Sequence, residues 1–339
     1  MQRKNPNIDK RITMREIAKI AGVSIATVSR VLNSPERVSS EALSRVTAVI
    51  DQYNFIPNQL AKNLYTNDSK SLAIFIYDIE NPFYTKLIEK INQIAFDNDY
   101  TLIICDTKND EVRELKYVMY LQSIRVSGII LTEGASEETI EKISKTTPCV
   151  MIDRTLDKKY KFPFISSDNQ QGARVAVEYL AKLNHTKIAF AGACEKINSV
   201  FLRKCGYLEI LKEHAIELVE DYIYTAELNI AGGKRALEHF MTIKERPTAI
   251  FCANDLIAQG LIQRAQLAKL SIPGDFSVVG FDGTIADALF PNLTTIKQEL
   301  DLIAEGAMKN MLMLINGEEC CQETIIPTRL VVGGTCRSI

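Results

Sequence analysis

Several short apolar runs in this chain end on residues able to grip hydroxyl groups. Asp106 follows TLIIC, Asp153-Arg154 follows CVMI, Asn254-Asp255 comes just after AIFC, and Asp282 follows SVVGF. Carboxylates accept, guanidinium groups donate, and a side-chain amide does both. An aromatic pair, Phe83-Tyr84, adds a surface on which the apolar face of a ring can lie. Together these suit a polyhydroxylated small molecule. Asp255 and Asp168 are equally readable as caps of the helices that follow them.

Catalysis lacks a comparable set. His185, His214 and His239 stand in a pre-strand loop and in or near helix ends, with no nucleophile or metal-ligand spacing around them. AGGKR (231–235) lacks the upstream glycine and the following Ser/Thr of a phosphate-binding loop. FDGT (281–284) lacks the second aspartate that a phosphatase nucleophile motif needs as its acid. The eight cysteines (105, 149, 194, 205, 252, 320, 321 and 336) form no C-x-x-C pair, and several lie in apolar runs, which reads as buried reduced thiols. We therefore expect no enzyme activity, no metal and no cofactor. The adjacent Cys320 and Cys321 fit none of these readings.

The apolar runs themselves place the hydroxyl-binding candidates. SLAIFIY (71–77), TLIIC (101–105), SGIIL (127–131) and CVMI (149–152) form one series, and KIAFA (187–191), TAIFC (248–252) and SVVGF (277–281) a second. Amphipathic helices alternate with them, such as 83–96 with Leu87, Ile88, Ile91 and Ala95 on one face, and 173–183. That alternation predicts parallel βαβ units in two doubly wound lobes, and ligands of such sheets bind beyond the carboxyl ends of the strands. The 339 residues suffice for two such lobes plus a small extra domain. No apolar run approaches membrane length and MQRKNPNIDKR has no apolar signal core, so the expected location is the cytoplasm, with no membrane partner.

The extra domain is N-terminal. Thr13 with Glu16 forms a capping box; Ile17, Ala18 and Ala21 then share a face, and Gly22 stops the helix. Ser24 caps a second helix with Val28, Val31 and Leu32 inward. This is a helix-turn-helix, which lays its second helix in the DNA major groove. A third helix, 39–53, turns Ala42, Val46, Val49, Ile50 and Tyr53 inward, and Pro57 opens a short helix ending at Leu64. Residues 1–70 carry eleven Lys/Arg against six Asp/Glu, five positive charges net; with −2 for the whole chain, residues 71–339 carry −7. A mildly basic head on an acidic body fits a molecule that meets a polyanion at one end, two heads at a time.

Residues 13–64 resemble the headpiece and hinge of the lactose-repressor (LacI/GalR) family: TMREIAKIAGVSIATVSRVLN followed by PNQLAKNL. NPFY (81–84), ISSDN (165–169), LNHTKIAFAG (183–192), AND (253–255), VVGFD (278–282) and LTTIKQ (293–298) extend the likeness over nearly the whole chain. The resemblance implies an all-α headpiece at 1–56, a hinge helix and linker at 57–70, and an α/β body of two doubly wound parallel lobes at 71–339, of the type I periplasmic-binding-protein kind. The lobes would be about 71–166 with 300–325, and about 172–296 with 328–339, joined by crossovers near 166–172, 297–300 and 326–329. It carries effector positions onto Phe83, Tyr84, Asp153, Arg203, Asn254 and Asp282. The segments ISSDN and IDR (152–154) are similar to repressors of sucrose and other simple-sugar operons.

The implied function is a sequence-specific transcriptional regulator, a repressor whose operator affinity a small carbohydrate controls. A nucleobase or nucleoside effector, a protein corepressor, and an architectural DNA binder with an idle cleft remain as alternatives. Ile25, Ala26 and Arg30 are expected at base edges, with Ser24, Thr27 and Ser29 at phosphates. Asn58 and Leu64 belong to the hinge, Leu64 as a minor-groove wedge. The partners expected are a palindromic double-stranded operator, the effector and a second copy of the chain. The tail RLVVGGTCRSI has no heptads, so a homodimer is expected without a tetramer.

Overall fold

Thr13 starts the first helix as its capping box requires: its hydroxyl accepts from the Glu16 amide at 3.3 Å, while its own amide donates to the Glu16 carboxylate at 2.8 Å. The helix, α1 (Met14–Ala21), stops at Gly22, whose φ of 65° lies in the left-handed region that glycine enters without strain. Ser24 caps α2 (Ile25–Asn33), accepting from the Thr27 amide at 3.0 Å, and Ser39 caps α3 (Ser40–Gln52). Ile17, Val28 and Val46 are fully buried at the centre of this three-helix core. Tyr53 corrects the expected pattern. The helix ends at Gln52, so Tyr53 falls past the last turn and is exposed, while Phe55 packs on the core instead.

The computed structural model describes residues 12–55, 69–133, 135–153, 162–192 and 197–339. The chain divides into two units, 1–67 and 68–339.

In the second unit, β1 (Ser71–Ile76), β2 (Thr101–Asp106), β3 (Gly128–Leu131), β4 (Cys149–Ile152), β5 (Phe164–Ser167) and β11 (Glu323–Ile326) form a parallel sheet in the order β11-β5-β4-β3-β1-β2. The second sheet, β12-β10-β9-β8-β6-β7, is built from β6 (Ile188–Gly192), β7 (Ile223–Thr225), β8 (Ala249–Cys252), β9 (Ser277–Asp282), β10 (Thr294–Lys297) and β12 (Arg329–Val331). It is parallel except for β12, which runs antiparallel to β10. The chain passes from the first sheet to the second after β5, returns after β10, and crosses again between β11 and β12.

Strand β1 shows why both faces of the first sheet are covered. Its residues alternate in direction. Leu72, Ile74 and Ile76 pack with α4 (Pro82–Asp97) and α11 (Leu300–Ile315), whereas Ala73 and Phe75 pack with α5 (Glu111–Ser123) and α6 (Glu137–Ser144). Helices α7 (Asn169–Lys182), α8 (Asn198–Glu213), α9 (Ile230–Thr242) and α10 (Asp255–Leu267) clothe the second sheet around one apolar core that includes Phe190, Phe251 and Phe281. Between α7 and α8 the backbones approach closely at Gly206, where a Cβ would lie 2.3 Å from the Gln170 carbonyl oxygen. Only glycine lets α8 seat there.

Candidate functional site

The strand-end carboxylates converge. Asp153 directly follows β4 of the first sheet and Asp282 ends β9 of the second, and both face one cleft between the lobes. Each sits at positive φ, 57° and 112°. For Asp282 especially this is a costly backbone conformation, on the order of 1–3 kcal/mol, of the kind found where a side chain must be aimed. Phe83 and Tyr84, at the first turn of α4, line the same cleft and meet edge to face at 5.2 Å. So do Arg203 from α8 and Asn254, the N-cap of α10. All six expected effector residues therefore share one cavity.

Arg203 organises its floor. Its side chain is buried and lies over the Phe281 ring at 3.7 Å. Its Nε donates to Asn169 at 2.8 Å, and its Nη1 donates to the Ala253 carbonyl at 2.5 Å and reaches Asp282 Oδ1 at 3.5 Å. Gln298, in the crossover after β10, donates to the same Asp282 oxygen at 2.8 Å. Asp153 Oδ1 accepts from the Ser166 hydroxyl at 3.0 Å and the Ser167 amide at 3.1 Å. Among the described residues no hydrogen bond reaches Oδ2 of either aspartate, so each keeps acceptor capacity toward the cleft.

Among the described residues, three carboxylates line the cleft against one guanidinium. Burial pushes the Asp282 carboxyl up to about 8; Arg203 opposes the shift, and Asp255 and Asp153 reinforce it. Burial also raises Asp153, again against Arg203. The third carboxylate, Glu133, follows β3 and is pushed up to about 7 by burial and by Asp153. Sequence reading missed Glu133, although the strand-end rule applied to the third strand points to it. It also missed Ser199, one turn before Arg203 on α8, and Gln298, whose place depends on a crossover.

Other candidates lie elsewhere. Asp106 ties its own lobe, accepting from the Ile79 amide at 3.3 Å with Lys108 at 3.8 Å, and does not line the cleft. Asp255 braces the loop after β9 by accepting from the Thr284 amide at 2.8 Å and the Thr295 hydroxyl at 2.6 Å. Asp168 caps α7. His185 is buried between Thr248 and Ser277, a structural staple. Arg154 and Cys194 fall outside the described residues.

On the head, the cap residue Ser24 and Ile25, Ala26 and Arg30 on α2 are exposed, and Thr27 and Ser29 are half-buried. Ile25 is 48% exposed. An aliphatic side chain left in water at a helix start gains nothing for the fold, which suits a contact surface. The Ser24 and Thr27 hydroxyls are 2.9 Å apart, so capping and phosphate contact would fall to the same pair. Asn58 and Leu64 lie outside the described residues. Among the described residues no helix is long and apolar enough to cross a membrane.

Residues 13–58 match the model of the bacterial regulatory proteins of the lacI family, and residues 177–336 match that of a periplasmic binding protein-like domain. The ribose operon repressor of Escherichia coli (strain K12) is 31% identical over 332 residues, spanning 94% of this chain and 98% of the relative. The crystal structure of the lac repressor dimer bound to operator and the anti-inducer ONPF superposes with a TM-score of 0.85 at 25% identity, covering 97% of this chain and all of that one. A periplasmic binding protein/LacI transcriptional regulator from Alkaliphilus metalliredigens QYMF, complexed with D-xylulofuranose, gives 0.70 at 26% identity over 79% of this chain and 99% of that one.

Proposed function

This chain belongs to the lacI family of bacterial regulatory proteins, and from that premise we propose that it is an operator-binding repressor controlled by a small sugar held between its two lobes. As a member of the family it is a DNA-binding transcriptional regulator whose body binds a small molecule. The observation that carries the sugar is the cleft itself. Asp153 and Asp282 each offer a free oxygen, Arg203 and Asn254 offer donors, and Phe83 and Tyr84 offer an apolar wall. Hydroxyls around a small ring need that mixture. Among the described residues that line the cleft, Arg203 is the one Lys or Arg, which gives a phosphorylated ligand little to pair with. The relatives named for ribose and solved with D-xylulofuranose point to the same class.

The DNA-binding unit in this reading is a homodimer on a palindrome, since a single mildly basic head binds weakly. Arg30 reads one base per half-site through a bidentate contact, worth about 1–3 kcal/mol of discrimination. The test is a thermal-shift screen of pentoses and hexoses, followed by operator binding with and without the hits. Arg203→Ala and Asp282→Ala should each weaken the effector by about 1–3 kcal/mol through the polar partner left unpaired, with ligand-free operator affinity kept. Wild-type response to the sugar in both variants would remove the cleft from the mechanism.

A further inference from the structure

Helix α8 begins without a cap of its own. Its N-cap is Ile197, whose side chain has no acceptor, and helix starts leave their first amides without intrahelical partners. The missing acceptor comes from the opposite lobe. Glu133, in the loop after β3, receives the Ser199 amide on Oε1 and the Ser199 hydroxyl on Oε2, each at 2.6 Å. Ser199 and Arg203 are four residues apart on α8, hence on one face of the helix. The residue that ties the lobes together thus also fixes the turn from which the cleft's guanidinium projects.

We propose that Glu133 is a positioning residue for the cleft: by capping α8 from across it, the side chain latches the two lobes closed and sets where Arg203 stands. This rests on the reading of the cleft as the effector site. Among the described residues, other bonds also cross between the lobes: the Asn169 amide, beside the crossover at the start of α7, donates to Asp153 Oδ1 at 3.4 Å. The Ser167 hydroxyl donates to Gln298 at 2.6 Å, but both residues belong to the crossover segments, which stay together whether the cleft is open or shut. Lys86 donates to the Thr284 carbonyl from an exposed side chain that is readily rehydrated. Glu133–Ser199 lies away from the crossovers and, with Ser199 buried, is a tie that shuts with the cleft.

Burial in the closed cleft favours a protonated Glu133, outweighing the two Ser199 bonds and Arg203, which favour the carboxylate. Asp153 at the end of β4, Arg203 on α8 and Tyr84 on α4 are the charged and titratable groups that face it. Burial beside Asp153 pushes its carboxyl up to about 7, so closing the lobes takes up a proton that opening releases. Closure is then most favourable at acid pH and weakens as pH rises through about 7. Either form satisfies Ser199. The carboxylate accepts twice, whereas the acid accepts the amide on one oxygen and donates its own proton to the hydroxyl. Glutamine reproduces the second arrangement without titrating.

Hydrogen exchange on the full chain without any sugar tests this, so an error in the effector's identity leaves the result readable. After correction for intrinsic rates, peptides spanning 197–204 should exchange several-fold faster at pH 8 than at pH 6 in the wild type. Glu133→Gln should be protected at both values, and Glu133→Ala at neither, by about tenfold. Peptides from α7 serve as the control for general loosening. Asp153 and Asp282 remain in all three proteins, so a pH response common to wild type and Glu133→Gln belongs to them and overturns the protonation step. Wild-type protection of 197–204 in Glu133→Ala at pH 6 overturns the latch itself. If the alanine variant loosens α7 as well, protection in the glutamine variant decides: its loss at pH 6 refutes the latch, and its retention upholds it.

Discussion

The head and the cleft solve opposite problems with the same backbone devices. In the head, six candidate contacts lie within seven consecutive residues, 24–30, at the cap and first turns of α2, and the exposed ones owe nothing to the core beneath them. In the cleft, the six candidates come from four separate places in the chain beyond the aromatic pair, all buried, and each aspartate depends on partners far away in sequence. A surface that reads DNA can be local because its ligand supplies the order. A pocket that holds a small molecule must assemble its polar groups from distant elements, and pays in raised carboxyl pKa values and positive φ angles.

The sharpest way to break that comparison is to unfold one side. Ile17 is fully buried at the centre of a three-helix core with few other large side chains. Truncating such a residue costs about 2–5 kcal/mol, and a domain this small has little more to lose. Ile17→Ala should abolish operator binding in a mobility-shift assay while the body keeps its thermal transition and its sugar response. A matching loss of effector binding would mean that the two units do not fold independently.

How much of each region was legible follows the same division. Thr13, Glu16, Gly22 and Ser24 announce the head because caps and turns act within four residues, and each is found in its expected role. Tyr53 was misplaced because helical periodicity does not say where the last turn stops. The sheet cores were legible from apolar runs, but five strands were not read as strands: β5 and β10, which are polar four-residue segments beside the crossovers, and β7, β11 and β12. All five are three or four residues long, too short for a period to register, and β7, β11 and β12 are also partly exposed. At the cleft the strand-end rule located Asp153, Asn254 and Asp282. It placed Asp106 wrongly, since a strand at the sheet edge points its end at its own lobe. The same rule applied to β3 points to Glu133, whereas Ser199 and Gln298 take their places from partners on the opposite lobe and on a crossover, which no local pattern encodes.

A middle-sized effect separates the regions by pH. The folded pKa of Asp282, about 8, stands above its ordinary value, so the favourable contribution is complete in acid and declines as pH rises through about 8. The thermal midpoint of the body should fall between pH 7 and pH 9, by about 2–4 °C for each kcal/mol lost. Asp282→Asn should flatten that decline. An unchanged slope in the variant would show that Asp282 is ionised in a wetter cleft than the one described.

The smallest expected effects come from two caps of the same chemistry. Thr13 accepts from the Glu16 amide in the head, and Asn254 accepts from the Ile257 amide at 2.8 Å in the body. Replacing either by alanine should cost about 1 kcal/mol of the unit it belongs to, read as a shift in the denaturant midpoint. The two differ in what else they do. Thr13 has only the cap, so Thr13→Ala should weaken operator binding no more than the head's lost stability accounts for. Asn254 also lines the cleft, and its amide nitrogen donates to the Leu228 carbonyl at 3.2 Å. Asn254→Ala should therefore lose effector affinity beyond its cost in stability. Asn254→Asp resolves the two roles, because aspartate caps as well as asparagine but cannot donate and adds a fourth carboxylate to the cleft wall. It should keep most of the stability and still bind the sugar poorly. If Asn254→Asp binds the sugar like wild type, residue 254 is a cap alone, and the wall of the cleft at α10 is as local in its purpose as the head.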